Sequence, residues 1–201
     1  VIEKRLSEFS RVWQEAKDKR LFEELVFCLL TPQSRAKTCW RAVERLSRGK
    51  LLNKNSLERE ITPCLSGVRF ANNKARYIQL ARGLFSKNGK PAVRKKLAPL
   101  LKEGAPCARE WLVRNVKGFG LKEASHFLRN IGFGQEIAIL DRHILKNMVK
   151  LGIMENIPGS LSSKIYLEIE EKLKVFSQKT GIPLAHLDLL FWSAETGEIF
   201  K

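Results

Sequence analysis

Two glycines one residue apart, with a helix-forming run directly behind them, constrain this chain more than any other feature. They are Gly118 and Gly120 in VKGFGLKEASHFLRNIG, residues 116–132. Glycine opens the positive-φ backbone that a tight turn needs and leaves the amides accessible to close approach. The helix start behind it adds unpaired N–H groups and the positive end of a dipole. A turn of this kind is suited to holding a phosphate. Lys122 falls in the first turn of that helix, and the apolar run IAIL then leads to Asp141. A helical pattern follows Asp141, which therefore reads as an N-cap. Each part also has a plain reading: a tight turn, a solvated lysine, a capping aspartate. Their order, an amine behind a phosphate-binding turn and a carboxylate after it, makes a candidate reaction centre.

The rest of the chain reads as helix. Ile2, Leu6, Phe9, Trp13 and Ala16 fall at intervals of three and four residues, giving an amphipathic helix with a basic outer face. LFEELVFCLL, residues 21–30, is apolar on nearly all sides and predicts a central buried helix. It ends at TPQSR, where Pro32 breaks the pattern. Ala36, Trp40, Val43 and Leu46 give a further helix, and a stripe of Ile78, Ala81 and Leu84 another. KNGKPAVRKKLAPLLK, residues 87–102, is basic and broken by prolines, and predicts a loop with one short helix. Pro106 suits the first turn of the helix that precedes the glycines. Beyond Asp141 come three helical runs, with Ile144, Met148 and Leu151 in the first, Ile165 to Phe176 in the second, and Leu184, Leu187, Leu190 and Phe191 in the third. No segment alternates in the manner of a strand, so the fold class is all-α.

Charge narrows the function. Lys and Arg number 37 against 21 Asp and Glu, a net +16. Such an excess suits a polyanion, because each phosphate contacted releases counterions. No apolar run approaches the roughly 20 residues that span a bilayer, and the charged N-terminal stretch does not read as a signal peptide. An intracellular, cytoplasmic, DNA-associated protein is expected. Cys28, Cys39, Cys64 and Cys107 lack the spacing of a zinc site, and Cys28 belongs to the buried helix.

The order of hairpin, Lys122, apolar run and Asp141-Arg142-His143 resembles the helix–hairpin–helix DNA glycosylase superfamily, and in detail its compact class of 8-oxoguanine DNA glycosylase/AP lyases. The match is strongest over residues 105–151. The resemblance implies a two-lobed helical bundle with no iron–sulfur cluster. Residues 21–140 would form one lobe ending in the hairpin at about 116–121, and 1–20 with 141–201 the other, the active-site cleft lying between them. The implied activity is removal of 8-oxoguanine from duplex DNA followed by strand cleavage, with Lys122 as nucleophile at C1′ and Asp141 stabilising the cationic sugar. An amine attacks only when neutral, and burial, the helix dipole and nearby cations favour that form.

The amides around Gly118 and Gly120, together with His143, would bind backbone phosphates. Gln33 would fill the gap left by the extruded base, unless it serves only as a turn amide. Phe70, four residues before Lys74, would wedge between base steps, unless it folds inward. Trp192 would stack on the base and the α-carboxylate of Lys201 read it, the alternatives being core packing and a frayed end. Ser125 and His126 share a face with Lys122 and either faces the pocket or packs. The resemblance requires no cofactor and implies no catalytic metal, though a potassium or sodium ion at the hairpin carbonyls fits it. The expected partner is damaged double-stranded DNA, bound by a monomer. Two readings compete: a glycosylase for oxidised pyrimidines, and a non-catalytic helix–hairpin–helix module in which Lys122 only pairs with phosphate. Asp141 weighs against the module, because a carboxylate near DNA is costly without chemistry to do.

Overall fold

Residues 1–52 and 55–199 are described by a computed structural model of the chain. The helices are α1 (Ile2–Glu15), α2 (Asp18–Leu30), α3 (Ala36–Arg48), α4 (Glu58–Ile61), α5 (Ala71–Leu84), α6 (Val93–Glu103), α7 (Ala105–Asn115), α8 (Leu121–Asn130), α9 (Arg142–Lys150), α10 (Ser163–Thr180) and α11 (Leu184–Thr196). A 3-10 turn, Thr62–Leu65, continues α4. The only ladder among the described residues pairs β1 (Ser86–Lys87) antiparallel with β2 (Lys90–Pro91).

Helix α2 occupies the centre because its sequence leaves it no polar face: Leu21, Phe22, Leu25, Val26, Phe27, Cys28, Leu29 and Leu30 are all buried. It packs against α3, α5, α6 and α8. The expected helices are present, with one difference of extent. Residues 93–103 form a full helix, with Pro99 inside it, where a loop with a short helix was expected. The apolar residues Val93 and Leu97 are fully buried, and this burial outweighs the hydrogen bond that proline cannot donate. Leu151 and Leu190, expected on inner faces, are 52% and 40% exposed.

Buried apolar residues form two clusters. One runs from Leu21 to Ile137 and the other from Ala138 to Phe191. The changeover falls in the irregular segment just before Asp141. Leu121, the first residue of α8, packs against the second cluster, whose members include Leu140 and Ile144. The start of α8 and the start of α9 therefore border the same apolar body, which brings the Lys122 and Asp141 segments to one side of the molecule.

Candidate active site

The hairpin between α7 and α8 closes with the Phe119 N–H donating to the Val116 carbonyl at 3.1 Å. Gly118 sits at φ +94, and a Cβ there would lie 2.5 Å from Tyr77 Cδ2. Only glycine satisfies both the backbone and the Tyr77 ring lying beneath it. Gly120 differs from expectation. Its φ of −106 and ψ of −175 are extended, so its role is the N-cap of α8 and not a left-handed turn. Its N–H donates to Glu123 Oε2 at 3.2 Å. The carbonyls of Lys117, Gly118 and Phe119 receive no donor among the described residues, an oxygen set that fits a monovalent cation.

Lys122 is in the first turn of α8 and half-buried, with Nζ 2.9 Å from Glu123 Oε1. Sequence reasoning passed over Glu123, although a Glu at the third helical position is a familiar N-terminal signal. Asp141 caps α9 as expected. Its Oδ1 accepts from the N–H groups of His143 at 2.8 Å and Ile144 at 2.9 Å, an arrangement worth about 1 kcal/mol to the helix. No ion pair joins Asp141 to Lys122 among the described residues; the carboxylate on the amine is Glu123. His143 is half-exposed at the start of α9, beside the exposed Arg142.

A buried network holds the segment leading into Asp141. Arg109 and Glu170 form a two-pronged pair at 2.5 and 2.9 Å. Glu170 Oε1 also accepts the Ala138 N–H at 2.6 Å. The Tyr166 hydroxyl donates to the Ala138 carbonyl at 2.7 Å and accepts from the Leu140 N–H at 3.1 Å. Burial, above all, pushes the Tyr166 phenol upward, which keeps it a donor. Ser125 accepts from Arg109 at 3.3 Å and His126 stacks edge-on against Phe27, so both belong to the interior and not to a pocket. Nearby, Arg129 Nε lies 3.3 Å from Asp188 Oδ2. Burial raises the Asp188 carboxyl to about 6, the Arg129 guanidinium pulling it back and the Asp141 charge adding to the rise.

Gln33 and Phe70 form a second feature on the surface. Both are non-glycine residues in left-handed backbone, φ 55 and 58, a conformation that costs on the order of 1–3 kcal/mol each. Gln33 is exposed, and Phe70, the N-cap of α5, is 53% exposed with the Arg69 guanidinium 5.4 Å from its ring. The ring does not fold inward. The two turns touch, because the Arg69 N–H donates to Ser34 Oγ at 3.0 Å. Beneath them Lys74, which the sequence did not single out, is 4% exposed. Exposed Arg35, Arg69 and Lys117 place positive charge around the two turns and the hairpin.

Trp192 is half-buried on α11. Lys201 lies outside the described residues. The four cysteines are free thiols, and burial raises Cys39 to about 11 despite the nearby Lys74 ammonium.

The parts are those of a helix–hairpin–helix protein: a hairpin opening a helix that carries a lysine, and an aspartate capping a helix on the adjoining core. The same fold is present in a trapped endonuclease III–DNA covalent intermediate, with a TM-score of 0.58 at 20% identity over 95% of this chain and 84% of that one, a likeness of fold alone. Much nearer is the crystal structure of Methanocaldococcus jannaschii 8-oxoguanine glycosylase/lyase in complex with 15mer DNA containing 8-oxoguanine. It matches with a TM-score of 0.87 at 35% identity, covering 100% of this chain and 91% of that one. The 8-oxoguanine DNA glycosylase of Thermotoga maritima follows with a TM-score of 0.85, also at 35% identity and over 100% and 91% of the two chains. In sequence, the 8-oxoguanine DNA glycosylase/AP lyase of Fusobacterium nucleatum subsp. nucleatum is 45% identical over 197 residues, 98% of this chain and 89% of its own length. A family model described as 8-oxoguanine DNA glycosylase matches residues 2–182. The chain belongs to the 8-oxoguanine DNA glycosylase family.

Proposed function

We propose that this protein excises 8-oxoguanine from double-stranded DNA and then cleaves the strand, acting as an N-glycosylase and AP lyase. The observation that carries the proposal is Lys122: a half-buried amine in the first turn of α8, directly behind the Gly118–Gly120 hairpin, with a carboxylate 2.9 Å away. The names of relatives matching over nearly the whole chain support the substrate.

The hairpin amides and the N-terminus of α8 grip the sugar-phosphate strand, and the lesion leaves the stack. Lys122 Nζ gives a proton to Glu123, the acceptor beside it, and bonds to C1′ as the glycosidic bond breaks and the base departs with the bonding pair. Asp141 stabilises the positive charge that develops on the sugar. Loss of a further proton from Nζ and opening of the C1′–O4′ bond give a Schiff base. Removal of a C2′ proton then expels the C3′ oxygen and nicks the strand. Gln33 and Phe70 enter the duplex where the base has left, His143 contacts a phosphate, and Trp192 stacks on the extruded purine. Lys201 reads that purine through its α-carboxylate. The two apolar clusters correspond to two lobes, 21–140 and 1–20 with 141–201, with the cleft between them. A monovalent cation on the hairpin carbonyls would add positive charge at the phosphate; no step passes through it. Among the described residues no helix is long and apolar enough to cross a membrane, and a DNA substrate places the protein in the cytoplasm.

Borohydride trapping on a duplex with 8-oxoguanine opposite cytosine tests the proposal. A covalent adduct with the native protein, lost in Lys122→Gln while duplex binding persists, is expected. An adduct that survives in Lys122→Gln would exclude Lys122 as the nucleophile.

A further inference from the structure

The Gln33 turn and the Phe70 turn come from distant parts of the chain, yet one side chain reaches both. Lys74 Nζ donates to the Leu30 carbonyl at 2.8 Å, to the Pro32 carbonyl at 2.7 Å and to Ser34 Oγ at 3.2 Å. Its backbone N–H donates to the Phe70 carbonyl at 3.0 Å. All three ammonium protons are thus spent on the 30–34 segment, while the main chain of the same residue holds the carbonyl of Phe70. Ser34 Oγ receives both Lys74 and the Arg69 N–H, which closes the loop between the two turns. Burying a lysine is unfavourable, and burial, first among the causes, pushes Lys74 below the ordinary lysine range. No carboxylate pairs with it among the described residues. A surface lysine would hold neither turn, whereas this one carries the cost of desolvation at the one place where two left-handed, exposed tips meet.

We propose that Lys74 is a positioning residue that clasps the Gln33 and Phe70 turns into a single two-pronged element, so that both side chains enter the duplex in one concerted step. The proposal rests on the reading above that these two tips enter DNA. Held separately, each turn could relax out of its left-handed backbone, and filling of the gap would lag behind wedging. Held together, the prongs keep one spacing, and a base that slips back into the stack meets an occupied site.

Single-turnover kinetics on two substrates test this, with 2-aminopurine beside the lesion reporting unstacking. Lys74→Met removes the clasp but also a cation near Lys122, so Ser34→Ala, which keeps the charge and only loosens the junction, is the companion variant. Excision of 8-oxoguanine opposite cytosine should fall about tenfold in Lys74→Met and about threefold in Ser34→Ala, the fluorescence rise slowing in step. Cleavage at a preformed abasic site, where no base has to be displaced, should stay within about twofold of native in Ser34→Ala. Ser34→Ala added to Phe70→Ala should cost nothing beyond Phe70→Ala alone, because the two act as one unit. Equal losses on both substrates, or additive losses in the double variant, would overturn the clasp. If Lys74→Met does not fold, Ser34→Ala decides alone, and native kinetics in it would overturn the proposal. Native excision in both Gln33→Ala and Phe70→Ala would show instead that the tips never enter DNA, and the clasp would fall with that reading.

Discussion

The segment leading into Asp141 and the turn carrying Gln33 are both irregular, and each is fixed by a charged group buried beneath it. The means differ. Under Asp141 the charge is neutralised by its opposite: Arg109 and Glu170 satisfy each other, and their spare hydrogen-bonding capacity, with Tyr166, holds Ala138 and Leu140. Under Gln33 a single ammonium is balanced only by carbonyl dipoles and one hydroxyl. A paired ion is rigid because breaking it strands the partner in the interior. A lone ammonium on carbonyls holds more softly, since each contact can be lost without leaving an opposite charge uncompensated. Rigidity thus sits under the residue that must meet a transition state, and give sits under the residues that must enter a deformable duplex.

That contrast can be broken deliberately. Asp141→Asn retains the shape of the cap and should slow base release by about 10²–10³, the range for loss of one electrostatic stabiliser, with the melting temperature nearly unchanged; a collapse of the fold would make Asp141 structural. Arg109→Met strands Glu170 and should cost about 3–5 kcal/mol in denaturant titration. The double variant Arg109→Met with Glu170→Leu should regain much of that stability but not the rate, because Ala138 loses its acceptor. Full recovery of both would show that the pair positions nothing.

Glu123→Gln removes the proton acceptor on Lys122 while keeping the Gly120 contact. It should lower base release about tenfold near neutral pH, with recovery as alkali deprotonates the amine directly; a loss that is uniform with pH would reduce Glu123 to a helix cap. The smallest effect concerns Asp188, whose carboxyl is raised from 3.8 to about 6. Between those two values the unfolded chain has lost this proton and the folded chain still holds it, so stability falls as pH rises across that window and levels off above it. Thermal unfolding of Asp188→Asn should lack that slope, and a carbon-13 titration of the native protein should place the carboxyl near 6.

The legible part of the site was the contiguous part. Gly118, Lys122 and Asp141 lie within one stretch whose spacing is set by a turn and two helix starts, so local chemistry sufficed. Glu170 and Arg109 are 61 residues apart, and Lys74 reaches back 44 residues to Leu30. No local pattern distinguishes a buried charge from a solvated one. For Lys74 a faint signal existed: carrying the Ile78 and Ala81 stripe back one turn lands on it, a lysine on an apolar face. Phe70 was undecided in the sequence because its outward direction depends on a left-handed N-cap, which the residues around it do not announce. The helix at 93–103 was obscured for the reverse reason, its prolines reading locally as breakers while buried Val93 and Leu97 decided the matter.

Helix α5 carries Phe70 at its N-cap, and Tyr77 on the same helix lies under Gly118 of the hairpin. At about 1.5 Å per residue, the stretch between them measures roughly 10 Å. A helix neither stretches nor contracts when something binds at one end, so this length is a gauge cut into the molecule, setting how far along the strand the insertion falls from the grip. One residue added between Phe70 and Tyr77 would lengthen the gauge by only about 1.5 Å yet swing the aromatic ring through about 100°, pointing it away from the groove it serves.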